Sequence, residues 1–311
     1  MIASPSTVTS PRRAGRKGMT LMEIMLALLL FGILATFVIQ VMDSVLNLWS
    51  AGERRGRGDL VFAATVERFR GDLRALHTGP QGWIILDSYS VASGVEGQPD
   101  RELPRLRFLA DGAALPDADP TGRSAVEVMW ALVPEIGDDR FARLTRFVNL
   151  PEATSTLLDA GTANAMLRSG AGLVVMDGLL HMEMAVTDER GQRQTRYRLD
   201  AQNPFDFPSQ VELAVESVAG KARKTPPLLD TEIPAEGAQV AVRGVAPVEM
   251  PEYALIEREW VGVSGRFPQL SFQARGQRGT LPAGHKGRTP IYFPMRYESL
   301  NAVAAGGRRA P

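Results

Sequence analysis

The stretch RKGMTLMEIMLALLLFGILATFVIQ, residues 16–40, decides how this chain is read. Four basic residues (Arg12, Arg13, Arg16 and Lys17) precede or open it, and residues 1–18 contain no acid. From Met19 to Met42 the only charged residue is Glu23. A helix of that length, rising about 1.5 Å per residue, spans roughly 36 Å, more than the roughly 30 Å hydrocarbon core of a bilayer. The positive flank predicts a cytoplasmic N-terminus and export of everything after the span. A plain single-pass anchor is one reading. A cleaved secretory signal is another, but the apolar run is too long for an ordinary signal core and no A-x-A-like site follows it. Arg12-Arg13 could suggest twin-arginine export, but Ala14, Gly15 and Arg16 are the wrong residues to follow such a pair.

Glu23 separates these readings. An isolated acid at the centre of a membrane helix costs about 2.5–3.5 kcal/mol on insertion scales, and less near an end. A plain anchor gains nothing from it, so the carboxylate implies a function and a partner. A free α-amino group on a neighbouring chain fits that role. Were the chain cut after Gly18, Met19 would carry such an amine and Glu23 would lie one helical turn further on.

The ordered pieces of KGMTLMEIMLALLLFGILA are a basic leader, Gly18, an apolar Met19, Thr20, Leu21 and Glu23. Together they closely resemble the N-terminus of type IV pilin-like proteins, which carry a prepilin-type (class III) signal. The resemblance implies cleavage between Gly18 and Met19 by a membrane aspartic prepilin peptidase and N-methylation of Met19. It also implies that Glu23 neutralises the amine of an adjacent subunit in a filament. Arg16 and Lys17 are the leader's basic residues. Met19 stands where Phe is more usual in that family.

Beyond the span no proline occurs before Pro80, so helix can continue. Phe62, Val66, Phe69, Leu73 and Leu76 recur at helical spacing, with Arg68, Arg70, Asp72 and Arg74 mostly off that stripe. Gly52, Gly56 and Gly58 predict a hinge or break, and HTGP (77–80) the end. From Gly82 the pattern turns strand-like: WIILDSY (83–89), RLRFLA (105–110), AVEVMWALV (125–133), ARLTRFVNL (142–150) and AGLVVMDGLLHMEMAVTD (171–188), bounded by Gly, Pro and Asp clusters. ERGQR (189–193) reads as a hairpin turn, QTRYRLD (194–200) follows it, and FDFPSQVELAVES (205–217) reads as a strand. In that strand Val211, Leu213 and Val215 share one face, with Glu212, Ala214 and Glu216 on the other. Helix first and antiparallel strands after it predict an α+β fold: a long N-terminal helix, transmembrane then amphipathic, packed on a mostly antiparallel sheet.

The order of the long helix with RFRGDLRAL, the β-rich head with MDGLLHMEMAVTDERG, and FPSQVELAVE looks like the J-type minor pseudopilin of type II secretion systems. In that family a late Pro-x-x-Val-Glu-Leu element is common, matched here by Pro208, Val211, Glu212 and Leu213. This second resemblance covers residues 19 to about 218. Residues 219–311 depart from it, because that family ends near the VELAVE strand. They are rich in Pro and Gly and read as a C-terminal extension, partly disordered, in which QVAVRG and YALIEREWVGVSG could add strands.

Composition narrows the classes. The chain of 311 residues is 44% hydrophobic and 23% charged, enough to bury a sizeable core. Thirty-five basic residues balance 35 acidic ones, without the basic excess of a nucleic-acid binder. There is no cysteine, which removes disulfides, thiolate metal sites and Cys nucleophiles, and the three histidines (His77, His181, His285) are widely spaced. The acids of DGAALPDADP (111–120) and GDDR (137–140) lack EF-hand spacing and read as solvated turns. His181 sits in a strand pattern as a structural residue, and Trp83, Trp130 and Trp260 read as core. The arginines at 54, 55 and 57 read as a solvated face. Neither a phosphate-cradling loop nor a nucleophile elbow is present, so no enzyme activity and no cofactor is expected.

The expected organisation is a leader (1–18), a transmembrane segment (19–42), an amphipathic periplasmic helix (43–79), a β-rich head (80–218) and the extension (219–311). The expected function is that of a minor pseudopilin, a structural subunit of a periplasmic type II secretion pseudopilus, in its tip or priming complex. By the resemblance its partners are the prepilin peptidase, other major and minor pseudopilins and the bacterial inner membrane, with no nucleic acid. Loss of residues 1–18 removes four positive charges and brings the neutral chain to about −4. A type IV pilus or DNA-uptake minor pilin, and a single-pass anchored binding protein, remain as alternatives.

Overall fold

The computed structural model describes residues 21–92, 99–112, 115, 125–150, 156–200, 207–218, 223–247 and 249–303. The chain opens with helix α1 (Leu21–Arg74), followed by strands β1 (Ile84–Val91), β2 (Arg101–Ala110), β3 (Val126–Glu135) and β4 (Asp138–Asn149). Helix α2 (Ala160–Ser169), β5 (Leu173–Thr187), β6 (Arg193–Gln194), β7 (Tyr197–Leu199) and β8 (Gln210–Ser217) come next. Seven short strands then follow: β9 (Leu228–Leu229), β10 (Gln239–Arg243), β11 (Tyr253–Ile256), β12 (Glu259–Gly262), β13 (Ser264–Arg266), β14 (Gln269–Ser271) and β15 (Ile291–Tyr292). The last strand is β16 (Met295–Ala302). The fold is α+β, as the pattern predicts. The chain divides into two units, residues 1–53 and 54–311.

In the second unit a nine-stranded antiparallel sheet runs in the order β16-β8-β5-β4-β3-β2-β1-β7, with β6 paired to β5. Strand β3 shows how both faces are used. It is buried from Val126 to Leu132 without a gap. Its Val126, Val128, Trp130 and Leu132 join the core formed with Phe69, Leu73 and Leu76. Its Met129 and Ala131 point the other way and pack with Ala163 and Leu167 of α2. The helical stripe therefore does what its spacing implies, and each fully buried Phe or Leu contributes roughly 1.5–3 kcal/mol.

Three sequence expectations need correction. First, α1 runs without a break through Gly52, Gly56 and Gly58, although the two units divide between residues 53 and 54, within that glycine stretch. At Gly58 the missing side chain has a packing reason, since a Cβ there would collide with the Tyr297 hydroxyl. Second, Asp72 is not off the buried stripe: it is 2% exposed and bonded inside the core. Third, most of the region read as an extension with linker character is folded. Residues 228–292 form a four-stranded sheet (β13-β14-β10-β9) and a three-stranded sheet (β12-β11-β15) around their own core of Leu229, Ile233, Val240, Phe272 and Ile291. This insert docks on the large sheet through Leu255, Trp260 and Tyr292 against Phe141, Leu180 and Val218. The chain then returns: β16 pairs antiparallel with β8 from Met295↔Ser217 to Ala302↔Gln210. Residues 219–222, 248 and 304–311 lie outside the described residues.

Candidate functional site

The N-terminal site is described from Leu21 onward. Glu23 lies in the first turn of α1 and is exposed. After it the helix carries no charge before Asp43, and Leu21–Leu46, 26 residues, is long and apolar enough to cross a membrane. Met22, Phe31, Leu34 and Phe37 stand 60% exposed or more, side chains that water tolerates poorly and lipid or neighbouring helices accept. The one hydroxyl near mid-span, Thr36, donates to the Gly32 carbonyl at 2.8 Å, so it leaves no orphan donor. Gly18, Met19, Arg16 and Lys17 lie outside the described residues, as do the side chains of the arginines at 54, 55 and 57.

In the second unit the helix is locked to the sheet by charge as well as by apolar packing. Asp72 accepts from Arg146 Nε at 2.6 Å and Nη2 at 2.9 Å, and from the indole Nε1 of Trp130 at 2.8 Å. The Trp130 ring meets Phe69 edge-on at 5.2 Å. On the opposite face Arg105 and Arg107 both hold Asp87, whose pKa is lowered: burial alone would raise it, and the two guanidiniums outweigh burial. Arg107 also donates to the Leu158 carbonyl at 3.1 Å, fixing the approach to α2.

A third cluster joins the insert to the large sheet. The buried Glu216 of β8 accepts two bonds of 2.6 Å from Arg278 of the insert and one of 3.2 Å from Arg296 of β16. The sequence pattern assigned Glu216 to a polar face; the insert covers that face and the arginine answers the charge. Arg278 stacks over Trp260 at 4.3 Å, and His181 meets the same indole edge-on at 5.8 Å. His181 Nε2 lies 3.5 Å from Glu183, which is pulled down to about 2 by His181 first, against burial, with help from Arg296.

Asp138 and Asp139, acids of the GDDR turn, pair with Arg140 at 2.8 Å and Arg258 at 2.7 Å. Most of the DGAALPDADP turn lies outside the described residues. Among the described residues no group of three or more His, Asp or Glu side chains is placed to hold a metal ion. Trp83, Trp130 and Trp260 are buried. The functional residues missed by the sequence reading are the partners of Glu216; Arg278 and Arg296 lie far along the chain from it and no local spacing announces them.

Fold and site together define an α+β protein with an N-terminal apolar helix long enough to cross a membrane and a head built on a large antiparallel sheet. No protein-family model, curated protein or solved structure matches the chain.

Proposed function

We propose that this protein is a minor pseudopilin, cut between Gly18 and Met19 by a prepilin peptidase, N-methylated at Met19, and assembled through α1 into a periplasmic secretion filament. The observation that carries the reading is Glu23: the single charge between Lys17 and Asp43, placed in the first turn of an apolar helix directly after KGMTLM. In hydrocarbon that carboxylate needs a cation, and the amine of a neighbouring subunit supplies one. Contact between them removes two charges from the membrane and favours the step from bilayer to filament. Within the second unit the last turns of α1 are locked to the head by the Asp72–Arg146 pair, as a subunit carried on that helix requires. The head is large beside its helix, which favours a tip or priming role over a densely repeated major subunit.

Co-expression with a prepilin peptidase, followed by intact-mass and N-terminal peptide analysis, tests the reading. The expected product begins at methylated Met19 and lacks residues 1–18. A chain that still begins at Met1 refutes it and leaves a single-pass anchor.

A further inference from the structure

The large sheet ends on one side in β7, three residues long, and on the other in β16, eight residues long. β16 pairs with β8 at every position without a register shift, and among the described residues no strand lies on its other side. An edge strand of this kind turns alternate main-chain donors and acceptors outward, a template for strand addition. Edges are normally blunted by brevity, charged side chains, a bulge, proline or a covering helix or loop. β16 is long, regular and free of proline, and Leu300 on it is 65% exposed. Its central charges are answered within the sheet: Arg296 reaches Glu216 and Glu183, each at 3.2 Å, and Glu298 at 2.5 Å.

A cleft of about 710 Å³ lies at this edge. Asp59 of α1 and Tyr297, whose ring lies 5.3 Å from Phe62, line it from the helix side. Glu183 and Glu216 line it from the insert side. The cleft meets both faces where β16 begins, with Pro294 and Met295–Tyr297 along it and the Glu249–Tyr253 loop as a further wall. Five carboxylates line it (Asp59, Glu183, Glu216, Glu249 and Glu252) against two guanidiniums, Arg278 and Arg296, both already gripping Glu216.

We propose that this slot takes an extended lysine- or arginine-bearing segment of a partner protein, added as a further strand on β16. The main chain of the segment pairs with the open edge, and its basic side chains reach the carboxylate walls. An uncharged segment would leave the slot's acidic excess unanswered. A second copy of β16 carries Arg296 together with Glu298 and so brings no net positive charge to answer the acidic wall. The proposal does not rest on the filament reading: the slot is built from residues of the second unit, so the uncleaved chain binds as the cleaved one does.

The test uses the full chain in detergent micelles and labelled peptides as long as β16, read by fluorescence anisotropy. An alternating Lys-Val peptide is expected to bind, more weakly as salt rises. Affinity is expected to fall at least about tenfold when alternate peptide amides are N-methylated, and by a similar factor in the triple variant Asp59→Asn, Glu249→Gln, Glu252→Gln. A Glu-Val peptide is expected not to bind. Three results overturn the proposal: no binding of the Lys-Val peptide, equal binding of its N-methylated form, or equal binding of the Glu-Val peptide. A disulfide-linked dimer of the Leu300→Cys chain that forms under a mild thiol oxidant as readily with excess Lys-Val peptide present throughout as without it overturns it in favour of self-pairing. Should the triple variant misfold, the N-methylation arm on the unaltered chain decides.

Discussion

Removing the Asp72 carboxylate tests whether charge, and not only apolar contact, fixes helix α1 to the sheet. Asp72 is 2% exposed, Arg146 6% and Trp130 0%. In the Asp72→Ala chain the Arg146 guanidinium loses both its bonds to the acid and stays buried beside the sheet, and the indole N–H loses its acceptor. Breaking a buried pair from one side costs about 3–5 kcal/mol, because an uncompensated charge is left behind. For a unit of this size that corresponds to a fall in Tm of roughly 6–20 °C. Urea unfolding of the full chain in micelles, followed by tryptophan fluorescence, measures it. Replacing both partners, Asp72→Ala with Arg146→Leu, removes the orphan charge and should recover most of the loss, giving a coupling energy above about 2 kcal/mol in the double-mutant cycle. A loss under about 1 kcal/mol for Asp72→Ala, or strict additivity of the two changes, would show that the ion pair does not hold the helix.

Glu23→Ala should still be cut after Gly18 but assemble poorly; secretion at the normal level with that variant sinks the neutralisation mechanism. Phe69→Ala, which empties a fully buried site edge-on to Trp130, should cost about 3–5 kcal/mol, read from the same urea transition. In the insert, Glu259 is held at about 2: burial would raise it, but His285, Arg275 and the amides of Gly276 and Ala283 together prevail. A folded-state value below the usual carboxylate range of about 4.3 means stability that is complete above that pH and lost as acid titrates the site towards pH 2. A tryptophan signal from the insert that is flat across that window contradicts it. Gly237→Ala should destabilise the insert by about 1–3 kcal/mol, since Gly237 has φ of 93° and a Cβ there would strike the Phe272 carbonyl. A circular-dichroism melt unchanged from the parent would contradict that.

The sequence disclosed the parts of this fold whose signals are local. β1 to β5 and β8 are β-rich runs fenced by turn residues, and the stripe from Phe62 to Leu73 keeps helical phase, so both read directly; the helix stops at Arg74, and Leu76 bridges to Ala110 instead. α2 was legible in principle, with Asp159 accepting from Thr162 at the N-cap and Gly170 at φ of 69° closing the other end. Its short alanine-rich body gives little periodicity, and two caps alone do not mark a helix. In the insert, QVAVRG and YALIEREWVGVSG read as possible strands and do hold β10, β11 and β12, but the other strands run only two or three residues. Alternation cannot show itself over that length, while the Pro and Gly that turn the chain between strands look like linker. Asp72 read as surface because its partner lies on β4, 74 residues on. The slot at β16 depends on strand order, which no window of sequence contains.

The return of β16 to β8 also sets an order of events. These neighbours are partners across a hairpin whose connection is residues 218–294. Closing so long a connection costs on the order of 2–3 kcal/mol more chain entropy than a tight four-residue turn. Collapse of the insert around Phe272 and Ile291 brings its two ends together and removes most of that disadvantage, so β16 should zip onto β8 after the insert has folded. The open edge of the sheet then forms only once the insert has folded. Until it does, Gly58 on α1 faces an empty berth where Tyr297 will later settle. A head caught midway through maturation would present β8, not β16, as its outermost strand, and would lack the acidic slot altogether.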